Sequence, residues 1–250
     1  MKNVMKEKLR AGACQVGAWL QSSSATNAEV MASCGFDWLV VDMEHGTANV
    51  EQSAAVFAVA ERHGLTPLVR LPSADPFLAR RLLDAGALGV LVPVVEDVDE
   101  FAEFLSHCVY PPKGQRGVGL VRANLWGETF EDYLATFEPV IVPMIETRKG
   151  VAAAGALAAL DGVDGIFLGP YDLSASLGGA GNFDMSVFKE AVETVRAACE
   201  KNGKVIGIHQ VEPDPVALQE RKDQGFGMIA YGTDLIAIRH AFVDFKNNLK

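Results

Sequence analysis

The chain has 250 residues, 49% of them hydrophobic, which is enough for one large core and is typical of a single α/β barrel. Its 22 Lys and Arg against 32 Asp and Glu give a formal net charge of -10, and no basic or aromatic-basic run is present to track a phosphate backbone, which argues against nucleic acid and anionic membranes as partners. Cys14, Cys34, Cys108 and Cys199 are widely spaced with no CxxC pair, a pattern that argues against structural zinc and disulfides and fits reduced thiols.

The first ten residues are charged and helical in character, without the apolar core and small-residue cleavage site of a signal peptide. No apolar run approaches the roughly 20 residues that span a bilayer, so a soluble cytoplasmic protein is expected. Apolar runs that read as strands follow at 16–20, 38–41, 67–71, 89–95, 140–145, 165–168, 204–208 and 226–231. Segments with helical periodicity lie between and after them, at 25–34, 50–63, 75–83, 98–108, 148–160, 185–202, 215–224 and 234–249. Asp75, Asp184 and Thr233 are expected caps, and Gly35, Gly64, Gly203 and Gly225 expected stops. Measured between strand ends at Leu20, His45, Arg70, Val95, Glu146, Asp172, His209 and Gly232, the steps are 25, 25, 25, 51, 26, 37 and 23 residues. Eight such β-loop-α units connected in parallel close into a single TIM-type (β/α)8 barrel spanning 1–250. A doubly wound sheet would more often have five or six strands and a Gly-rich first turn, and no GxGxxG follows the first strand. The long step holds an insertion, residues 110–119 and then a helix-like 128–137, whose Pro and Gly content reads as an ordered surface loop.

Chemistry concentrates at strand ends. Glu146 and Asp172 close the fifth and sixth strands, so a barrel makes them neighbours on its C-terminal rim. Two hard carboxylates suit Mg²⁺, Mn²⁺ or Co²⁺ with positions left for water and a chelating substrate. The plain alternative is a pair of helix caps or a partner for Arg148. Arg70 closes the third strand as a fork for a carboxylate or a developing oxyanion, the alternative being a structural pairing with Glu44 or Asp42. His45, three residues after Asp42, is a candidate acid/base held in a defined tautomer by the nearby acid. Trp19 ends the first strand as a pocket wall or a core residue, and His209 ends the seventh, within reach of the distal part of a substrate. The turn from Gly169 to Ser174, close to a helix start, offers backbone amides to a carboxylate.

Taken together, Gly17-Ala18-Trp19, the run from Gly35 through Trp38 to Glu44-His45, Leu68 to Pro72, Tyr110-Pro111-Pro112 with Gly114 and Arg116-Gly117, Ile145 to Arg148 and Gly165 to Ser174 resemble the 4-hydroxy-2-oxoheptanedioate aldolase family, which includes the 2-dehydro-3-deoxyglucarate aldolases. The motifs keep their order from about residue 16 to 182 and are specific as a set. This resemblance implies a metal-dependent class II pyruvate aldolase on a barrel, usually a hexamer, acting on small 2-oxo acids and aldehydes. Its metal ligands map onto Glu146 and Asp172, its enolate-stabilising arginine onto Arg70, its acid/base pair onto His45 with Asp42, and its carboxylate-holding amides onto Tyr171 and Asp172. Many relatives carry Gln where this chain has Met144 and a small residue where it has Tyr171, which touches the size and polarity of the acceptor. A Schiff-base aldolase would need a lysine at a strand's C-terminal end; Lys204 stands at the start of the seventh strand and Lys149 inside the next helical segment. Condensation or decarboxylation on the same scaffold, as in citrate-forming relatives, and a non-catalytic 2-oxo acid sensor are the other readings.

Overall fold

The computed structural model describes residues 3–247, and within them eight parallel strands close a barrel in sequence order. The strands are β1 Gln15–Leu20, β2 Trp38–Asp42, β3 Thr66–Arg70, β4 Gly89–Val92, β5 Val140–Ile145, β6 Gly165–Leu168, β7 Val205–Gln210 and β8 Met228–Thr233, with β8 pairing back onto β1. Their apolar runs are long enough to cross the barrel and too short to be helices. Burial on both faces is why they read as continuous rather than alternating: every residue of β2 and of β5 is buried. Four expected strand boundaries move by two residues or more, one of them the start of β8, which moves from 226 to Met228. β4 stops at Val92 because Val94 turns into the left-handed region at φ 51, and β7 and β8 each run two residues further, to Gln210 and Thr233.

Helices α1 Val4–Arg10, α2 Ala25–Ala32, α3 Val50–Arg62, α4 Pro76–Asp84, α5 Val98–Ser106, α6 Phe130–Thr136, α7 Arg148–Ala159, α8 Pro170–Ser176, α9 Ser186–Lys201, α10 Pro215–Asp223 and α11 Asp234–Asn247 accompany the strands, with a 3-10 helix at Arg122–Gly127 in the insertion. The last residues of the expected final helix, 248 and 249, lie outside them. Asp75 caps α4 by accepting from the amides of Phe77 and Leu78, and Thr233 Oγ1 accepts from Ile236. Asp184 does not cap α9: Met185 holds that position without a side-chain bond, and Asp184 pairs with Lys189 instead. The short α8 is an element periodicity does not reveal, because seven residues span only two turns.

Two apolar layers result. Between strands and helices runs the larger one, through residues such as Phe57, Leu82, Phe101, Ile141 and Val195. Inside the barrel, Trp38, Val40, Leu68, Leu91, Val142 and Phe167 fill the bore, and Met5 and Leu9 of α1 close its N-terminal end. Gly17 makes room for this filling, since a Cβ there would meet the Trp38 ring at 1.9 Å. Lys6 fixes the plug: its buried Nζ donates to the Pro139 carbonyl at 2.7 Å and to Asp164 at 2.8 Å.

The insertion joins α5 to β5 and so lies on the side of the barrel where strands begin. Arg116 anchors it. Its fully buried guanidinium lies 4.5 Å from the Tyr110 ring centroid and 4.9 Å from that of Phe137, and it pairs with Asp84 at the end of α4 at 2.6 Å. Among the described residues no helix is long and apolar enough to cross a membrane.

Candidate active site

Parallel pairing sets Asp42 directly opposite Arg70 at the ends of β2 and β3. Arg70 forks onto Asp42, Nε to Oδ1 at 3.0 Å and Nη2 to Oδ2 at 2.6 Å, and its Nη1 lies 2.9 Å from Glu44 Oε2, an ion pair aligned too poorly to count as a hydrogen bond. Asp42, fully buried, also accepts from Trp19 Nε1 at 3.1 Å and from the backbone amides of Glu44 and His45. Burial alone would raise this carboxyl, but the bonds and charge of Arg70, with Trp19 and the His45 amide, outweigh it and hold Asp42 below the usual carboxylate range. Its contacts are thus with Arg70 and with the backbone of His45 rather than with the imidazole. Trp19 is fully buried as well and does not line the open cavity. It forms a floor, with Arg70 Cζ 4.9 Å from its ring centroid and the His209 ring stacked on it at 4.3 Å.

Across the rim, Glu146 follows β5. It is 3% exposed, and Oε2 accepts from the Val94 amide at 2.8 Å. Val94 sits at φ 51, a costly conformation for a β-branched residue, and it delivers the amide to this carboxylate. Even so, burial pushes Glu146 up to about 7, with the negative charges of Glu44 and Asp172 adding to it. Gly169 leaves the space that Glu146 occupies: a Cβ at Gly169 would fall 2.3 Å from Glu146 Oε1. Asp172 is exposed in the first turn of α8, and Tyr171 beside it lays its ring edge-on to Phe183 at 5.3 Å.

One cavity of about 230 Å³ gathers these groups. His45, Arg70, Glu146, Tyr171 and Asp172 line it together with Met144, His209 and residues after β1 and β8, including Gln21 and Ile236. Asp42 and Trp19 lie beneath. No lysine borders the cavity among the described residues, and Lys204 donates to the Val163 carbonyl before β7, at the opposite end of the barrel. Val94 and Gln21 carry no signal that sequence reading could have used for a site; only their place next to strand ends hints at it, whereas Glu44 and Gly169 are already read from the sequence as a partner of Arg70 and the start of a turn.

The residues present fit a divalent cation. Glu146 and Asp172 are hard oxygen donors bordering one cavity, and a carboxyl raised by burial and further by neighbouring negative charge is one a cation would relieve. Among the described residues no cluster of three or more His, Cys, Asp or Glu forms a closed cage, so such an ion would complete its shell with water and substrate.

An eight-stranded parallel barrel with its ionisable groups gathered where strands end has the architecture of the barrel enzymes. The chain belongs to the HpcH/HpaI aldolase/citrate lyase family, which it matches over residues 15–241, and is thus an enzyme of the aldolase class, a carbon–carbon lyase. It is 34% identical to a hydroxypyruvate/pyruvate aldolase of Roseovarius nubinhibens over 94% of this chain and 92% of that protein. With a 4-hydroxy-2-oxo-heptane-1,7-dioate aldolase of Salmonella arizonae it shares 38% identity over 83% of this chain and 80% of that one. An HpcH/HpaI aldolase/citrate lyase family protein of Burkholderia cenocepacia superposes with a TM-score of 0.92 at 32% identity, covering 99% of both chains.

Proposed function

We propose that the protein is a divalent-metal-dependent class II aldolase that reversibly cleaves 4-hydroxy-2-oxo acids to pyruvate, or a related 2-oxo acid, and an aldehyde. The observation that carries this reading is the meeting of Glu146, Asp172, Arg70 and His45, from four separate strand ends, around one cavity. Glu146 and Asp172 would hold the cation, Mg²⁺, Mn²⁺ or Co²⁺. When bound, it withdraws charge from the carbonyl of the 2-oxo acid and so favours the enolate.

The chain's own residues do the rest. Arg70 has five N–H donors, of which two bond Asp42, leaving others on a rigidly held fork for the developing enolate oxygen. Amides of Tyr171 and Asp172 in the first turn of α8 have no carbonyl one turn earlier to bond and can receive the substrate carboxylate. His45, exposed at the cavity edge, takes the proton from the C4 hydroxyl in cleavage and returns it in synthesis. Met144 gives the cavity an apolar wall. Pyruvate release from a 4-hydroxy-2-oxo acid, followed by a coupled assay with and without chelator, tests the reading. Turnover should vanish on chelation and return with metal; full activity after exhaustive removal of metal, or binding of the acid without release, would overturn it.

The reading includes a hexamer in the cytoplasm. A closed hexamer needs at least two patches on each subunit. α11 exposes Ile238, Phe242 and Phe245, the last two at 71% and 68%, and the insertion exposes Leu120, Leu125 and Trp126, the last at 70%. The free thiols of Cys14, Cys34, Cys108 and Cys199 fit a reducing compartment.

A further inference from the structure

The 230 Å³ cavity is small for what the reaction asks of it. Small-molecule sites run from about 300 to 1,000 Å³, and this one must take a 2-oxo acid, a cation and an aldehyde together. A second cavity of about 650 Å³ adjoins it, outside β7 between α9 and α10, with Phe183, Phe188 and Phe226 in its walls. Pro170, Tyr171, His209 and Val211 border both. Whatever closes the smaller cavity on that side is made by these four residues.

Three of them are packed. Pro170 is buried at the start of α8, His209 is stacked on the Trp19 ring, and Val211 is half-buried after β7. Tyr171, at 49%, is the one exposed residue of the four. Its place is nonetheless fixed. The Ser174 hydroxyl donates to the Tyr171 carbonyl at 2.8 Å and accepts from the Gly181 amide at 2.9 Å, which ties the first turn of α8 to the segment that follows the helix. Phe183, just beyond, meets the Tyr171 ring edge-on at 5.3 Å and is itself 5.4 Å from Phe188. Helical side chains lean towards the N-terminus of their helix, and in α8 that is the end bordering the cavity. A large ring propped at a shared border acts by its bulk.

We propose that the Tyr171 ring sets the length of aldehyde the enzyme accepts, closing the acceptor side of the cavity against the groove between α9 and α10. This inference rests on the aldolase reading of that cavity. A short aldehyde fits in front of the ring, whereas a longer one meets it. Without the ring the two cavities join, and a long chain extends into a groove with aromatic walls.

The test is kcat/KM for aldol addition of pyruvate to propanal and to hexanal, which differ in chain length alone. Exchange of the pyruvate C3 protons with deuterium, which needs no aldehyde, is followed in the wild-type enzyme alongside. Taking the hexanal to propanal ratio within each variant cancels any change in the steps before the aldehyde reacts. The wild-type enzyme should favour propanal. Tyr171→Ala, which truncates an exposed side chain, should raise the ratio by about tenfold or more, the low end of what a single methylene is worth in a close-fitting pocket. Tyr171→Phe keeps the ring and should keep the wild-type ratio. Phe183→Ala removes the prop and should move the ratio in the same direction as Tyr171→Ala, by less. An unchanged or lower ratio in Tyr171→Ala would overturn the proposal, and so would a Tyr171→Phe that matches it, since selection would then lie with the hydroxyl. Absence of exchange in the wild-type enzyme would instead remove the aldolase reading beneath it.

Discussion

Replacing Arg70 by Ala has two effects that the geometry allows to be separated. The first is catalytic: a rigid donor pair facing the developing oxyanion is lost, which lowers kcat by about 10² to 10³. The second is structural. Asp42 is fully buried and relies on the Arg70 fork, so removing the cation strands an anion at a cost of about 3–5 kcal/mol. For a chain of this size each kcal/mol lowers Tm by about 2–4 °C, giving a drop of roughly 6–20 °C. Trp19 and the two backbone amides still donate to Asp42, which favours the lower end. The double variant Asp42→Asn with Arg70→Ala removes the stranded charge and should recover much of the stability while leaving kcat as low as in the single variant. Calorimetric melting and steady-state pyruvate release, run on the same preparations, measure both. Recovery of turnover along with stability would show that Arg70 serves the fold alone; a raised KM with kcat intact would assign it to uniform substrate binding.

His45→Ala should slow cleavage by about 10² to 10⁴ while pyruvate binding in the presence of metal, measured by titration calorimetry, stays close to wild type, because neither the carboxylates nor the amides depend on the imidazole. Near-normal cleavage in that variant would make His45 structural. Glu146 has its folded value raised from 4.5 to about 7 by burial first, so it binds a proton more tightly folded than unfolded. Its contribution to the stability of the metal-free protein is therefore present below about 4.5 and lost as pH rises through 7, on the order of 3 kcal/mol in total. Melting curves from pH 5 to 8 should show this fall, Glu146→Gln should flatten it, and a divalent ion should offset it; an unchanged slope in Glu146→Gln would refute the assignment. Light scattering should report six copies of the 26.8 kDa chain, and Phe242→Asp should break the assembly down. A wild-type monomer at micromolar concentration would exclude the hexamer.

The barrel was legible in the sequence because a parallel strand buried on both faces is a continuous apolar run, and because the residue that ends such a run falls on a known rim. Trp38 to Val41 followed by Asp42, and Val140 to Ile145 followed by Glu146, needed only local pattern to declare both strand and rim residue. What pattern could not decide is which rim groups face one another. The Asp42 to Arg70 fork depends on the register between β2 and β3, and the choice of Arg70 and two backbone amides over the His45 imidazole depends on where the chain turns after β2. Trp19 became a floor rather than a wall because the barrel interior turns its ring under Asp42 and His209, a placement set by closure of β1 onto β2 and β8. The burial that lifts Glu146, the Val94 amide that holds it and the space at Gly169 that admits it come from three segments far apart in sequence. Periodicity is a property of neighbours along the chain and fixes the elements; the electrostatics of the site arise from neighbours across the barrel, which exist only once it has closed.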